Sequence, residues 1–258
     1  MIAIGGIDME YVNPYNAPGP STDEDANPHS RTVRLLGVPA LQALHSSHVL
    51  VAGLGGVGSY AVEALARCGI GKLSLVDYDR VTLSNLNRQL YALHSTLGQL
   101  KTEVAAKRIA DINPDCSITL HTLCITGDNV ADLLKCKPDL VLDAIDDLSA
   151  KTALLSAARH MNIPVVSVLG TANRSDANAG FIIADIAATH TCPLARTLRQ
   201  KLRLAGITEG ITVVFSPHTP QQRGALGSTS YVPGQAGLIA AGQIVQWIIG
   251  NGQWIIDN

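Results

Sequence analysis

The sequence is short of charge and carries no marked excess of either sign. Charged residues make up 16% and the formal net charge is −2, which excludes a broadly basic nucleic-acid coat. A nucleic-acid partner would have to be held by a local patch. Cysteine is sparse as well. The five (Cys68, Cys116, Cys124, Cys136, Cys192) are odd in number, widely spaced and include no C-x-x-C. That fits reduced thiols in a cytoplasmic protein better than a disulfide framework. Without such pairs to complete a tetrahedral site, no zinc is expected. Apolar runs are short: the longest, residues 237–250, carries Gln243 and Gln246 and cannot span a bilayer. The first residues show neither the basic nor the apolar region of a secretory signal. A soluble protein with no membrane partner is expected.

What is present is an apolar chain, 47% hydrophobic over 258 residues, long enough to bury a substantial core. Residues 1–30 are rich in Pro, Asn, Asp and Ser without periodicity and read as a disordered tail. From Arg31 the pattern changes. Leu35, Leu36, Leu41 and Leu44 suggest a short helix. Strands are then expected at 48–55, 72–77, 117–123, 139–146 and 164–170, alternating with helices at 59–69, 101–113, 128–136 and 149–162, the last capped by Ser149. Such alternation predicts an α/β, doubly wound, mostly parallel, Rossmann-like sheet. A strand at 179–186 supplies an antiparallel edge. A helix at 193–206, a strand at 211–216, a loop at 223–236 and an apolar helix at 237–250 form a C-terminal helical and strand extension. One domain is expected over 31–258, with 31–186 as its nucleotide-binding core and 187–258 as a substrate-side extension.

Gly53, Gly55, Gly56 and Gly58 satisfy G-x-G-x-x-G between a strand and a helix, where backbone N–H groups can approach a phosphate. Asp77 closes the next strand, where a ribose-binding carboxylate belongs. Taken alone, these residues read as a nicotinamide dinucleotide site. The residues beyond Asp77 change that reading, because Asn85, Arg88 and Lys101 form a polar and cationic cluster suited to a triphosphate. Asp146, just past another strand's carboxyl end, suits Mg²⁺ bridging phosphates. Asp143 reads as structural, capping the turn after its strand.

GLGGVGS (53–59), LVDYDRVTLSNLNRQ (75–89), Lys101 and DAID (143–146) together resemble the adenylation domain of the ubiquitin-activating-enzyme-like family, which includes the thiamine- and molybdopterin-pathway sulfur-carrier activators. The resemblance implies ATP as substrate, Asp77 on its ribose, and Asn85, Arg88 and Lys101 on its phosphates. It also implies Asp79 in the ATP site, Asp146 on the metal, and an arginine, best matched by Arg34, reaching a neighbouring subunit's site in a homodimer. Sulfur-relay proteins are further candidate partners. Cys192-Pro-Leu-Ala-Arg196, VVFS (213–216) and residues 224–245 resemble the family's tRNA-modifying branch. That implies adenylation of the free carboxylate of a threonylcarbamoyl side chain beside the anticodon, followed by cyclisation with loss of AMP. Activation of a sulfur-carrier protein's C-terminus, or nucleotide binding without chemistry, are the alternatives. Where that branch has an acidic residue after VVFS, Pro217-His218 stand here. Cys192 is either an acyl relay or an ordinary buried thiol. Arg196, Arg199 and Arg203 are either a phosphate-contacting ridge for tRNA or a solvated helix face.

Overall fold

The computed structural model describes residues 27–176, 180–221 and 224–250. Of the tail expected over 1–30, all but its last four residues lie outside that range. The chain enters through α1 (Ser30–Leu36) and α2 (Val38–Ser46), where a single helix was expected. Gly37, at φ +88°, breaks the run and Pro39 starts the second helix.

Seven strands form one sheet: β1 (His48–Ala52), β2 (Lys72–Val76), β3 (Ser117–His121), β4 (Leu140–Asp143), β5 (Val165–Val168), β6 (Ile182–Asp185) and β7 (Thr212–Phe215). Their order is β3-β2-β1-β4-β5-β7-β6. All pairs are parallel except β6 with β7, which run antiparallel, Ile182 opposite Phe215. The doubly wound sheet with an antiparallel edge is therefore as the alternation implies. β1 lies inside the sheet between β2 and β4 and is buried along its whole length, which is why HVLVA reads as a nearly unbroken apolar run.

Successive β1 side chains enter opposite core layers. Val49 and Val51 pack with α3 (Gly58–Cys68), α4 (Lys101–Ile112) and α8 (Tyr231–Ile248). Leu50 and Ala52 pack with α5 (Val130–Leu134), α6 (Leu148–His160) and α7 (Pro193–Leu204). Two expectations are corrected. The N-cap of α6 is Asp147, whose carboxylate accepts from the Ala150 N–H at 2.7 Å; Ser149 lies inside the helix. And α8 starts at Tyr231, within the stretch read as loop, because tertiary packing overrides its glycines. A side chain at Gly237 would collide with the Val57 carbonyl oxygen, so the glycine lets α8 lie directly on α3. Among the described residues no helix is long and apolar enough to cross a membrane.

Candidate active site

The crevice lies at the carboxyl ends of β1 and β4, where the winding direction of the sheet reverses. β1 ends at Ala52 and turns into α3 through the four glycines. Two of these are required by the chain's own packing. Gly53 has φ +90°, and a Cβ there would meet the Ala144 carbonyl oxygen at 2.7 Å; a Cβ at Gly58 would overlap the Gly53 carbonyl oxygen. Gly55 differs. Its backbone is unstrained, and a Cβ would meet only the Gln89 amide nitrogen, at 3.8 Å. Packing leaves room at Gly55 that a side chain would fill, as a backbone cradle for a phosphate requires.

The segment after β2 folds back over this turn. Asp77 is tied to it directly, its carboxylate accepting from the Leu54 N–H at 2.7 Å and the Asp79 N–H at 2.8 Å. Burial pushes the Asp77 carboxyl above the ordinary aspartate range, against the opposing pull of Lys101 and those two donors. Lys101 opens α4 but is only 4% exposed, so it is no solvated face. Its ammonium lies 2.7 Å from Asp79 and 3.9 Å from Asp77. Asn85 is buried, and its side-chain oxygen accepts from the Thr82 N–H, closing the short 3-10 turn at Leu83–Asn85. Arg88 lays its aliphatic stem within 3.4 Å of where a Gly56 Cβ would be, and donates to the Ser84 carbonyl at 2.8 Å. Asp146 is exposed on the turn between β4 and α6. The Tyr78 hydroxyl is pushed up first by Asp79, then by Cys124 and Asp146, and least by Asp77. The Ala144 backbone lies against Gly53, so the turn that carries Asp146 starts beside the glycine turn to which Asp77 is bonded.

Not every expected site residue gathers here. Arg34 is exposed on α1, whose cap residue His29 packs by Gly69 at the far end of α3. Cys192, 5% exposed, caps α7 and packs in the second core layer, which favours its reading as a buried thiol. On α7, Arg196 and Arg203 are exposed, but Arg199 donates to the Thr189 carbonyl at 2.8 Å and to its hydroxyl. The three-arginine ridge is thus reduced to two exposed cations. Sequence reasoning missed Gln89, buried beside Gly55, and Lys151, buried beneath the crevice. Gln89 ends the quoted motif, so its position was a signal. Lys151 had none, since lysine on a helix ordinarily points to water.

A doubly wound sheet whose glycine turn is roofed by an arginine, a lysine and carboxylates defines a nucleotide-binding α/β protein built around phosphates. The chain belongs to the ThiF family, whose sequence pattern matches residues 29–257. It is 40% identical over 235 residues to a Bacillus subtilis tRNA threonylcarbamoyladenosine dehydratase, covering 84% of this chain and 92% of that one. The Escherichia coli protein of the same name is 43% identical over 172 residues, 67% of this chain and 64% of its own length. A solved structure of the E. coli enzyme in complex with ATP superposes with a TM-score of 0.84 at 36% identity, covering 89% of this chain and 96% of that one.

Proposed function

We infer that this chain is an ATP-dependent enzyme that activates a carboxylate as an acyl-adenylate, and that the carboxylate belongs to threonylcarbamoyladenosine in tRNA. One observation carries the adenylation half: the open cradle at Gly55, with Arg88 packed across Gly56 and the segment leading to Asp146 packed on Gly53 through Ala144. The likeness to dehydratases over nearly the whole of the Bacillus relative supports the substrate.

In this reading Asp77 holds the ribose, and Asn85, Arg88 and Lys101 face the phosphates, with Asp79 setting the position of Lys101. A substrate carboxylate oxygen bonds to the α-phosphorus, the α–β anhydride bond breaks, and pyrophosphate leaves with the electron pair. A nucleophilic atom of the same side chain then bonds to the activated carbonyl carbon and gives up its proton. The bond from that carbon to the phosphate oxygen breaks, and AMP leaves with the electron pair. The side chain has lost the elements of water, which cleavage of ATP takes up. Arg88 and Lys101 offset charge that develops on the phosphates. Asp146 is the carboxylate for Mg²⁺, an ion that needs only one or two protein carboxylates when phosphates supply other ligands. When bound, the ion would neutralise charge on the departing pyrophosphate. Arg34, far from its own chain's crevice, serves the partner's site in a homodimer.

The reading is tested by exchange of labelled pyrophosphate into ATP, with threonylcarbamoylated tRNA or a sulfur-carrier protein added in turn. Exchange should depend on the tRNA. Titration calorimetry should give a binding isotherm for ATP and none for NAD; tight NAD binding without ATP binding would overturn it.

The tRNA should rest partly on α7. Charge reversal at Arg196 and Arg203 together should weaken tRNA binding while sparing ATP binding. The slope of log affinity against log salt should flatten by about one for each phosphate no longer neutralised by an arginine. An unchanged affinity and slope would return α7 to a solvated face.

A further inference from the structure

A second cavity opens on the same edge of the sheet, between the carboxyl ends of β5 and β7. It holds about 190 Å³ and is lined by Asn173, Arg174, Ser216, His218 and Thr219, with the exposed Asp176 also on its wall. Arg174 is 7% exposed. Its Nε donates to the Gly170 carbonyl at 3.3 Å, and one terminal nitrogen donates to the Ser216 hydroxyl at 3.0 Å and to the His218 carbonyl. These partners are neutral, and they engage Nε and Nη1, leaving Nη2 as the nitrogen with no acceptor among the described residues. Among the described residues no carboxylate pairs with it. Burial pulls the Arg174 pKa down, and Cys192 alone pushes it back up.

A buried guanidinium without a counter-ion is an expensive arrangement. The free Nη2 keeps N–H donors on a charged group, and charge-assisted bonds to oxyanions are the strong ones. The cavity's loop is also tied to the nucleotide segment. Asn173 and Gly227 exchange hydrogen bonds, and the next residue, Ser228, accepts from the Asn87 amide, adjacent to Arg88. The cavity is therefore linked through this loop to the segment that carries Arg88.

We propose that the Arg174 cavity is an oxyanion subsite for the substrate, in which the unengaged Nη2 of the guanidinium receives a carboxylate or phosphate oxygen. Its ligand class follows from Arg174 itself. That the oxyanion comes from tRNA, as the side-chain carboxylate or a phosphodiester, rests on the function proposed above.

The experiment is a thermal melt of the full chain with saturating ATP, titrated with N-carbamoyl-L-threonine as the carboxylate probe or inorganic phosphate as the other. Two variants remove the subsite by opposite routes. Arg174→Gln takes away the cation, and His218→Glu places an internal carboxylate at an exposed position on the cavity wall. Each probe that binds the wild type should raise its melting temperature with concentration. In both variants the half-saturating concentration should rise about tenfold or more, the scale of a lost charge-assisted hydrogen bond. A variant-sensitive shift with N-carbamoyl-L-threonine assigns the subsite to the side-chain carboxylate; one with phosphate alone assigns it to the RNA backbone. Absence of any variant-sensitive shift overturns the proposal. Should Arg174→Gln not fold, His218→Glu decides alone. Pyrophosphate exchange on the wild type reports separately on the proposed function, so either claim can fail without the other.

Discussion

Replacing Lys151 by methionine should destabilise the fold by about 3–5 kcal/mol, the usual consequence of stranding one member of a buried ion pair. Lys151 and Asp143 are both 0% exposed and lie 2.6 Å apart. The ammonium has no other charged partner among the described residues, donating besides to the Ser167 hydroxyl at 3.2 Å and the Val168 carbonyl at 2.9 Å. The carboxylate also accepts from the Ser167 hydroxyl at 2.6 Å and from the Ile145 N–H at 3.1 Å. Methionine matches the stem of lysine in length, so the expected loss comes from charge and hydrogen bonding more than from a cavity. For a domain of this size about 2–4 °C is lost per kcal/mol, so the melting temperature should fall by roughly 10 °C. Replacing both residues at once, Lys151→Met with Asp143→Leu, should recover part of the loss, because no charge is then buried alone. A single variant that melts with the wild type would mean that water reaches Asp143, and would remove this pair from the forces that hold β4 to α6.

That pair marks the limit of what the sequence discloses. The strand and helix alternation was legible because each parallel strand is buried on both faces and each crossover helix carries its own apolar stripe. Asp143 could be read as structural from its place at a strand end, but its partner eight residues on could not, because a lysine inside a core is found only through the tertiary fold. The start of α8 was hidden for a related reason. Pro233 and the glycines around it argue locally for a loop. Proline is tolerated in a helix's first turn, and Gly234 and Gly237 allow the close approach to Tyr60 and Val57. On α7 the i, i+3, i+7 spacing put three arginines on one face. Whether each meets water or Thr189 depends on a neighbouring loop that spacing does not describe. The glycine turn was the most legible part of the crevice, since the close backbone approaches at Gly53 and Gly58 leave glycines in a fixed pattern.

Asp146→Asn should leave the fold intact and remove most adenylation, a loss on the order of 10²–10³ in rate, or about 2.7–4 kcal/mol of transition-state stabilisation. The fold should survive because Asp146 is exposed and the substitution is nearly isosteric. The rate should not, because the amide lacks the charge proposed to hold Mg²⁺, leaving the charge on departing pyrophosphate uncompensated and the α-phosphorus poorly oriented. Asp143→Asn is the matched comparison a few residues earlier in the same segment. It alters a buried, ion-paired carboxylate, so it should lower the melting temperature more than it lowers exchange by the protein that remains folded. Pyrophosphate exchange measured on both variants well below their melting points separates the roles. Wild-type exchange by Asp146→Asn, together with loss of exchange in a folded Asp143→Asn, would place the metal on the wrong carboxylate. It would also require the Lys151 pair to open during the reaction, which the Lys151→Met melt would independently detect as a smaller loss than expected.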